Sequence, residues 1–381
     1  MRTVSLERPR KIVIGPGSVQ NCVDDILAFG LHRVFIVTSS PLLGLVDPMA
    51  SALKAGGAYV EIFARINTEP SIGLFEQALN AARAMQPDAV VGFGGGSPMD
   101  VAKVVAALHN GRQTLPEVLG IDLLEGRTTY LACLPTTAGT GSEVTPYAIF
   151  HDEAEQLKKG VVSSHIIPNA AYIDPELTRS MPPSVTSATG MDAMTHCIES
   201  YVNKYAHPMV DMYAITGIKL IAENLPRAVE DGDDLEARSN MALGSLYGGL
   251  CLGPVNTGAV HALAYPLGGE FHVAHGVSNS VLLPHVAEFN LPATPRRFAD
   301  IAVAIGVEPG ANVNETAEKG IRRIMSLSRQ VGIPAHMREL GVPEDAIPGM
   351  AQSAMKVTRL LRLNPREVTL SDAEAIYRAA Y

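Results

Sequence analysis

The sequence contains no tryptophan, few other aromatic residues and little charge. Of its 381 residues, 5% are aromatic and 18% are charged, whereas about 25% charged residues is typical of soluble proteins. Aliphatic residues and methionine must therefore fill the interior, and the hydrophobic share of 47% is ample for large cores. Such low charge favours extensive buried surface within the chain or between subunits, and we expect a homo-oligomer, a dimer or larger.

The chain also lacks clustered positive charge and long apolar runs. Its formal net charge is −9, and no run of Lys and Arg is longer than two residues. Binding to nucleic acid or to an anionic membrane requires clustered cations that displace counterions, so neither partner is expected. A membrane-spanning helix requires roughly 18 or more consecutive apolar residues, and the sequence has no such run.

Cysteine is scarce and widely scattered. The four residues are Cys22, Cys133, Cys197 and Cys251, and no two of them form a C-x-x-C pair. Residues 1–11 are charged and lack the apolar segment of a secretory signal, so the thiols are expected to be reduced. We therefore expect a cytoplasmic protein.

The pattern of the first half of the chain predicts an α/β domain. Short apolar runs, rich in β-branched residues, alternate with amphipathic stretches. The predicted strands cover residues 34–37, 58–63, 89–93 and 130–134, and the predicted helices cover residues 71–85 and 99–109. Strands that alternate with helices predict a parallel sheet with helices on both faces.

Beyond Pro182 and Pro183 the pattern changes to long helical periodicities. These cover residues 184–203, 209–223, 235–252 and 317–331. We therefore predict an α/β domain over residues 1–182 and an all-α domain over residues 183–381, in line with the usual domain size of roughly 100–200 residues.

A first glycine-rich segment, G-F-G-G-G-S-P-M-D at residues 92–100, follows a predicted strand and opens a predicted helix. Backbone N–H groups at a helix N-terminus attract anions, and glycine allows a phosphate to approach closely. The segment departs from the G-x-G-x-x-G fingerprint because Ser97 occupies the place of the third glycine. A tight strand-to-helix turn, with Pro98 in the first helical turn, is the alternative interpretation.

A second segment, P-T-T-A-G-T-G-S-E at residues 135–143, also follows a predicted strand. Its hydroxyl and backbone donors suit a diphosphate or a ribose, and the alternative is a polar loop with a helix cap at Ser142. Because ligands of open α/β sheets bind at the carboxyl ends of the strands, the two segments together favour a nucleotide site.

Asp192 and His196 lie four residues apart within a predicted helix, so both side chains share one helical face. A carboxylate and an imidazole placed in this way can chelate a divalent cation. The same spacing also occurs in ordinary surface contacts, so the pair by itself leaves both interpretations open.

A histidine-rich segment over residues 260–276 adds to this pair. It carries His261, His272 and His275, which are three of the 11 histidines in the chain, within apolar and glycine-rich surroundings. A single buried histidine is more often hydrogen-bonded than bound to metal. An aspartate together with three histidines, however, forms a coherent ligand set for Fe(II) or Zn(II).

These motifs together resemble the iron-containing (group III) alcohol dehydrogenase family along the full length of the chain. The matching segments are G-G-G-S-x-x-D-x-A-K at 94–103, P-T-T-A-G-T-G-S-E at 135–143, D-A-x-x-H at 192–196, H-x-x-x-x-P-L-G at 261–268, H-G-V-x-N at 275–279 and N-P-R at 364–366. The resemblance implies a dinucleotide-binding α/β domain, a helical metal-binding domain and a cleft between them.

The resemblance also implies roles for individual residues. The implied metal ligands are Asp192, His196, His261 and His275. The implied cofactor contacts are Gly95, Gly96 and Ser97 at the diphosphate, Thr136, Thr137 and Thr140 along the cofactor loop, and Lys158. A solvated lysine beside Lys159 is the alternative interpretation of Lys158.

Two positions depart from the family pattern. Many members have an aspartate after the second strand that accepts from the ribose hydroxyls, and Ser39 takes its place here. Losing that carboxylate removes repulsion of a 2′-phosphate, so NADP should be accepted as well as NAD. Many members also have a proton-transferring histidine at the position of Tyr265. Tyr265 or the nearby His272 is the expected replacement, with a relay through solvent as the alternative.

The expected function is that of an NAD(P)-linked alcohol dehydrogenase or aldehyde reductase for small alcohols. Hydride would pass between the alcohol and the nicotinamide while Fe²⁺, or alternatively Zn²⁺, polarises the substrate oxygen. The alternatives are a zinc polyol dehydrogenase or a ketoacid reductase on the same fold. A nucleotide-binding regulatory protein without catalysis is the alternative from another class.

Overall fold

The computed structural model describes residues 2–152 and 157–381, which form two compact units. The first, called the α/β unit here, comprises residues 7–137, 141–152 and 157–179. The second, called the helical unit, comprises residues 2–6, 138–140 and 180–381. The predicted domain boundary at residues 182 and 183 stays a prediction.

The α/β unit is built around a six-stranded sheet with the order β1-β9-β6-β4-β2-β3, in which every neighbouring pair is parallel. Its strands are β1 (Lys11–Ile14), β2 (Arg33–Val37), β3 (Tyr59–Phe63), β4 (Ala89–Gly94), β6 (Tyr130–Pro135) and β9 (Ala170–Ile173). Its helices are α1 (Ser18–Ala28), α2 (Leu43–Ala55), α3 (Ile72–Met85), α4 (Gly96–Leu108) and the short α5 (Leu115–Val118). The predicted parallel sheet is confirmed.

Helices cover both faces of this sheet, as predicted. Along β2, Val34 and Ile36 join a core that includes residues of α1 and α2. The alternate residues Phe35 and Val37 join a separate core with residues of α3 and α4. Because successive side chains of a strand point to opposite faces, a strand covered on both sides must be apolar throughout. This explains why β2 appears in the sequence as a continuous apolar run.

The topology of the sheet has a switch point between β2 and β4. From β2 the chain passes through α2 to β3 on one side, whereas from β4 it passes through α4 towards β6 on the other side. The connections that leave these neighbouring strands therefore diverge. Ligands of open α/β sheets bind beside the carboxyl ends of the strands at such a point.

A second, three-stranded sheet in the α/β unit was not predicted from the sequence. It consists of β5 (Gly120–Ile121), β8 (Leu157–Val162) and β7 (Tyr147–Asp152), with β7 antiparallel and β5 parallel to β8. β5 is too short to give a periodic signal, and β8 contains two lysines and a glycine, residues that are uncommon in strands.

The helical unit contains α6 (Pro183–Val202), α7 (Pro208–Glu230), α8 (Leu235–Leu252), α9 (Ala259–Phe271), α10 (His275–Asn290), α11 (Pro295–Ala304), α12 (Val313–Gln330), α13 (Ile347–Met355), α14 (Thr358–Leu361) and α15 (Leu370–Ala380). The four long helices predicted in this half are present, and α8 has the predicted bounds. Proline interrupts the sequence pattern of α9 and α10, since Pro266 and Pro284 lie inside these helices. None of the helices within residues 2–152 and 157–381 has the length and apolar character required to cross a bilayer.

Candidate functional site

The side chains of Asp192, His196, His261 and His275 converge within the helical unit. Asp192 and His196 project from α6, His261 from α9, and His275 is the first residue of α10. Asp192 Oδ1 lies 3.9 Å from His196 Nε2, 3.7 Å from His261 Nε2 and 3.8 Å from His275 Nε2. Three helices thus bring three imidazole nitrogens around one carboxylate oxygen, which makes four potential ligand atoms in all.

This cluster is largely shielded from solvent. Asp192, His196 and His261 are buried, and 33% of the His275 side chain is exposed. Burial by itself would raise the pKa of Asp192, but interaction with the three imidazoles and a hydrogen bond from Asn279 lower that pKa to about 2. Burial also lowers the pKa of His196, which favours its neutral, metal-binding form.

Glu199, to which the sequence analysis gave no role, fixes one of the imidazoles. Its Oε2 lies 2.5 Å from His261 Nδ1, and its Oε1 accepts a hydrogen bond of 2.7 Å from the Val260 N–H. With Nδ1 donating to a carboxylate, His261 Nε2 keeps its lone pair on the side of Asp192. Carboxylate–histidine pairs of this kind orient the ligands of metal sites. Glu199 follows His196 by three residues on the same helical face, and this spacing is the sequence feature that could have pointed to a role for Glu199 at this site.

The chemistry of these donors fits a divalent transition metal. One buried carboxylate and imidazole nitrogens form a mixed oxygen and nitrogen set of the type that iron and zinc prefer. Asp192, His261 and His275 each offer a ligand atom within 4.8 Å of the others, and His196 Nε2 lies 3.9 Å from Asp192. The four side chains named from the sequence are therefore the residues that could hold a metal here.

The two residues suggested for proton transfer, Tyr265 within α9 and His272 directly after its end, lie in different environments. Tyr265 follows His261 by one helical turn and is partly buried against the core of the helical unit. His272 is exposed and ends the helix in a left-handed conformation with a φ of 55°. Both proton-transfer roles stay predictions.

The first glycine segment connects the end of β4 to the start of α4. Among the described residues, no side chain caps the N-terminus of α4, so its first N–H groups are available to an anion. Gly94 has a φ of +153°, and a Cβ there would lie 2.7 Å from Pro98 Cγ. Only glycine therefore suits this turn. The tight strand-to-helix connection and a helix N-terminus suited to an anion are both present, so the two interpretations of the segment do not exclude each other.

The second glycine segment begins beside the first, because β6 is the parallel neighbour of β4. The Thr136 N–H donates a hydrogen bond of 3.0 Å to the Gly94 carbonyl oxygen. Thr137 Oγ1 is buried, and no described residue forms a hydrogen bond with it. A Cβ built on Gly95 would lie 3.5 Å from this hydroxyl. A buried hydroxyl without a partner is unfavourable, so a polar ligand at this place would satisfy it.

The remaining suggested cofactor residues occupy different places. Ser39 lies two residues after the end of β2 and thus near the switch point of the sheet. Lys158 lies in β8, and its Nζ forms an ion pair of 2.5 Å with Glu69 Oε1. Thr140 belongs to the helical unit, where Gly139 lies so close to α6 that a Cβ would be 2.6 Å from Thr189 Cβ.

An ion pair between the fully buried Lys103 and the largely buried Asp100 anchors the segment that follows the second glycine loop. Lys103 Nζ on α4 donates to Ser142 Oγ at 2.7 Å and to the Tyr147 carbonyl oxygen at 2.9 Å, and it lies 3.8 Å from Asp100 Oδ1. Ser142 Oγ in turn donates to Asp100 Oδ1 at 2.6 Å. Burial raises the pKa of Asp100 and lowers the pKa of Lys103. These contacts tie α4 to residues 142–147.

The α/β unit thus carries a sheet edge of the kind that binds nucleotides. The helical unit carries a cluster of side chains of the kind that binds a metal ion. Residues 9–175 match the family model described as iron-containing alcohol dehydrogenase. Residues 186–381 match the C-terminal model of the Fe-containing alcohol dehydrogenase family.

Individual relatives match over nearly their whole length. Long-chain-alcohol dehydrogenase 1 of Geobacillus thermodenitrificans (strain NG80-2) is 38% identical over 376 residues, covering 97% of this chain and 94% of the relative. The 1,3-propanediol dehydrogenase of Klebsiella pneumoniae is 38% identical over 380 residues, covering 98% and 97%. A crystal structure of 1,3-propanediol oxidoreductase matches with a TM-score of 0.97 and 37% identity over 100% of both chains.

The chain therefore belongs to the iron-containing alcohol dehydrogenase family. It is a metal-dependent oxidoreductase that acts on alcohols or aldehydes. The family, the fold class and the reaction class predicted from the sequence are confirmed.

Proposed function

We propose that this protein transfers hydride between small alcohols and NAD or NADP, with iron as its metal and zinc as the alternative. The observation that carries this proposal is the convergence of Asp192 and the three imidazoles, with Glu199 holding one of them. The activities for which the two relatives are named, on long-chain alcohols and on 1,3-propanediol, favour a substrate with a primary hydroxyl group.

In this proposal Asp192, His196, His261 and His275 hold the metal. When bound, the metal supplies Lewis acidity towards the substrate oxygen. Asp192 contributes the one negative charge among these four side chains, and burial keeps bulk water away from three of them. Glu199 keeps the ring of His261 in the tautomer whose Nε2 lone pair faces the site.

For the cofactor, we propose that Gly95, Gly96 and Ser97 hold the diphosphate at the N-terminus of α4. The unpaired hydroxyl of Thr137 and the position of Thr136 beside Gly94 support a ligand there. The proposed cofactor contacts further include Thr140 and Lys158, whose Nζ is already paired with Glu69.

Ser39 offers no carboxylate to repel a 2′-phosphate, so we propose that NADP is accepted. Initial rates with NAD and with NADP at equal concentrations check this. A kcat/KM that strongly favours NAD would overturn it.

For the proton, we propose Tyr265 or His272 as the relaying group. Tyr265 lies one helical turn from His261, which supports it. The variants Tyr265→Phe and His272→Ala, assayed over a range of pH, separate the two. If neither changes turnover or its pH profile, the proton route runs through solvent.

The proposal also covers the cellular location and the oligomeric state of the protein. The four cysteines are free and buried, which supports a cytoplasmic location. The low charge of the sequence supports a homo-oligomer. Light scattering of the purified chain measures the oligomeric state, and a monomer would overturn that part.

The central experiment compares the metal-stripped and metal-reloaded protein under anaerobic conditions. Short alcohols, diols, hydroxy acids and aldehydes are assayed with both nucleotides. We expect turnover of at least one alcohol, its loss after chelation, and recovery with Fe²⁺. Better recovery with Zn²⁺ would favour the zinc polyol dehydrogenase.

Two other results would replace the proposal. Turnover that survives chelation would indicate a metal-free ketoacid reductase. Nucleotide binding without turnover of any substrate would indicate a regulatory protein.

A further inference from the structure

Two loops of the α/β unit lie side by side at the carboxyl edge of its six-stranded sheet. β2 and β3 are parallel neighbours, and Val37 at the end of β2 is in register with Phe63 at the end of β3. The segment after β2, called the β2 loop here, comprises residues 38–42, and the segment after β3, called the β3 loop, comprises residues 64–71. Both loops therefore leave the sheet at the same edge, next to the switch point between β2 and β4.

Hydrogen bonds join the two loops on both sides of Ser39. The Ile66 N–H donates to the Thr38 carbonyl oxygen at 3.2 Å. The Ser40 N–H donates to Asn67 Oδ1 at 2.9 Å. Ser39 lies between these two bonded positions of the β2 loop, so the β3 loop runs directly alongside it.

Arg65 immediately precedes this paired stretch, and its guanidinium is held by uncharged partners. Its Nη1 donates to Gln77 Oε1 at 3.3 Å, and its Cζ lies 5.9 Å from the centre of the Phe63 ring. The residue is exposed, and no carboxylate within residues 2–152 and 157–381 forms an ion pair with it. The one acidic residue of the β3 loop, Glu69, is paired with Lys158 instead. Since the β2 loop has no charged residue, the charge of Arg65 is available to an anion.

A phosphate on the ribose of the cofactor is an anion that suits this place. In open α/β sheets a dinucleotide lies across the switch point, and an arginine near the ribose accommodates the 2′-phosphate of NADP. The proposed diphosphate site is at the N-terminus of α4, directly after β4, and β2 is the neighbour of β4 in the sheet. A guanidinium suits a phosphate because its N–H groups match two phosphate oxygens at once.

We propose that Arg65 is a specificity-determining residue that binds the 2′-phosphate of NADP. This inference rests on the proposed function, because it takes this edge of the sheet to be the nucleotide site. It goes beyond acceptance of NADP, since the lack of a carboxylate at Ser39 only removes a repulsion, whereas Arg65 adds an attraction. Arg65 therefore strengthens the binding of NADP and contributes little to the binding of NAD.

The test measures the affinity of the full chain for NADPH and for NADH by fluorescence titration in the absence of substrate. The two nucleotides differ only in the 2′-phosphate. Arg65→Gln removes the charge and keeps a polar side chain. A hydrogen bond to a charged group corresponds to about a 10- to 100-fold change in equilibrium, so this variant should bind NADPH about 10- to 100-fold more weakly. Its affinity for NADH should change less than about twofold, and Arg65→Lys, which keeps the charge, should recover part of the NADPH affinity.

Arg112→Gln is the matched control. Arg112 is also an exposed arginine of the α/β unit, but it follows the C-terminal end of α4, whereas the proposed diphosphate site is at the N-terminus of that helix. This variant should bind both nucleotides as the wild type does.

Unchanged NADPH affinity in Arg65→Gln would overturn the proposal. An equal loss of NADPH and NADH affinity would also overturn it, because Arg65 would then support the site as a whole. A wild-type protein that binds NADH but not NADPH would refute the acceptance of NADP and this role together. A wild-type protein that binds neither nucleotide would refute the nucleotide site itself.

Discussion

Two aspartates, the largely buried Asp100 in the α/β unit and the buried Asp192 in the helical unit, lie in different surroundings. Asp100 has a cation of its own chain, Lys103, and accepts hydrogen bonds from the Ser142 hydroxyl and the Ile149 N–H. Asp192 faces imidazoles and the amide of Asn279. Burial raises the pKa of Asp100, whereas the pKa of Asp192 is lowered to about 2 despite burial.

We interpret the difference as one between a structural charge and the charge of a proposed metal ligand. A buried carboxylate paired with a lysine and hydrogen bonds is compensated within the chain, so it needs no ligand. Asp192 is flanked instead by three imidazoles, which are themselves side chains of the metal-binding type, so the groups that lower its pKa could also hold a cation with it. The first arrangement holds a loop in place, and the second suits a metal.

The largest effect should follow from removing the functional carboxylate. Asp192→Ala should abolish metal binding and lower kcat/KM by about 10³-fold, since metal polarisation supplies several kcal/mol of transition-state stabilisation. Metal content and steady-state rates measure this. Nucleotide binding, monitored by fluorescence, is the control and should persist. A variant that keeps stoichiometric metal would show that Asp192 is no ligand.

Removing the structural cation should affect stability instead. Lys103→Met leaves Asp100 buried without its cation, which should lower the free energy of unfolding by about 3–5 kcal/mol. Urea unfolding of the metal-loaded protein measures the loss. The double variant Lys103→Met/Asp100→Asn removes both charges and should recover part of it. If the single variant is as stable as the wild type, the ion pair does not anchor this region.

Glu143 is a third buried carboxylate, and the pH dependence of protein stability at this residue extends the comparison of Asp100 and Asp192. Burial raises its pKa from 4.5 to about 7, only partly offset by a backbone hydrogen bond and by Lys103. Because the folded-state pKa is raised, its contribution to stability is complete below pH 4.5 and is lost as the pH rises through about 7. The difference between the unfolded-state and folded-state pKa of Glu143 corresponds to about 3 kcal/mol in the free energy of unfolding.

Glu143→Gln should therefore gain stability relative to the wild type as the pH rises from 4.5 to 7. Unfolding free energies at pH values below and above this interval give the result. Parallel pH profiles for the two proteins would show that Glu143 ionises normally.

The smallest expected effect concerns the partner of a proposed ligand. Glu199→Gln should weaken metal binding by about 10–100-fold, because the neutral amide holds His261 less firmly. Chelator competition measures it. Glu270→Gln, at an exposed position on the same helix as His261, is the control and should bind metal normally. Equal affinities of Glu199→Gln and the wild type would limit Glu199 to a packing role.

Much of the fold could be predicted because its elements carry local patterns. The strands around Val34, Ala89 and Leu131 and the helix at Leu235–Leu252 lie where the sequence placed them. The three-stranded sheet could not be predicted, since β8 contains two lysines and a glycine and its pairing with β7 and β5 is not a local property. The helices α9 and α10 were not predicted for a different reason. Each contains a proline, which breaks the helical sequence pattern.

For the candidate site, the sequence named residues but not their arrangement. The four-residue spacing of Asp192 and His196 fixed a shared helical face in advance. Glu199 and Asn279 carried no motif that assigned them a partner. Their contacts with His261 and Asp192 join segments that are 62 and 87 residues apart in the chain.

By itself the sequence determined the family and the alternation of strands and helices, and it predicted the side chains that we propose to bind metal and nucleotide. It did so because periodicity, turn chemistry and motif spacing are properties of neighbouring residues. Only the tertiary structure decided which groups surround each of the two carboxylates. Lys103 meets Asp100 and Ser142, while Asp192 meets imidazoles and an amide, because packing brings distant groups into the same low-dielectric surroundings.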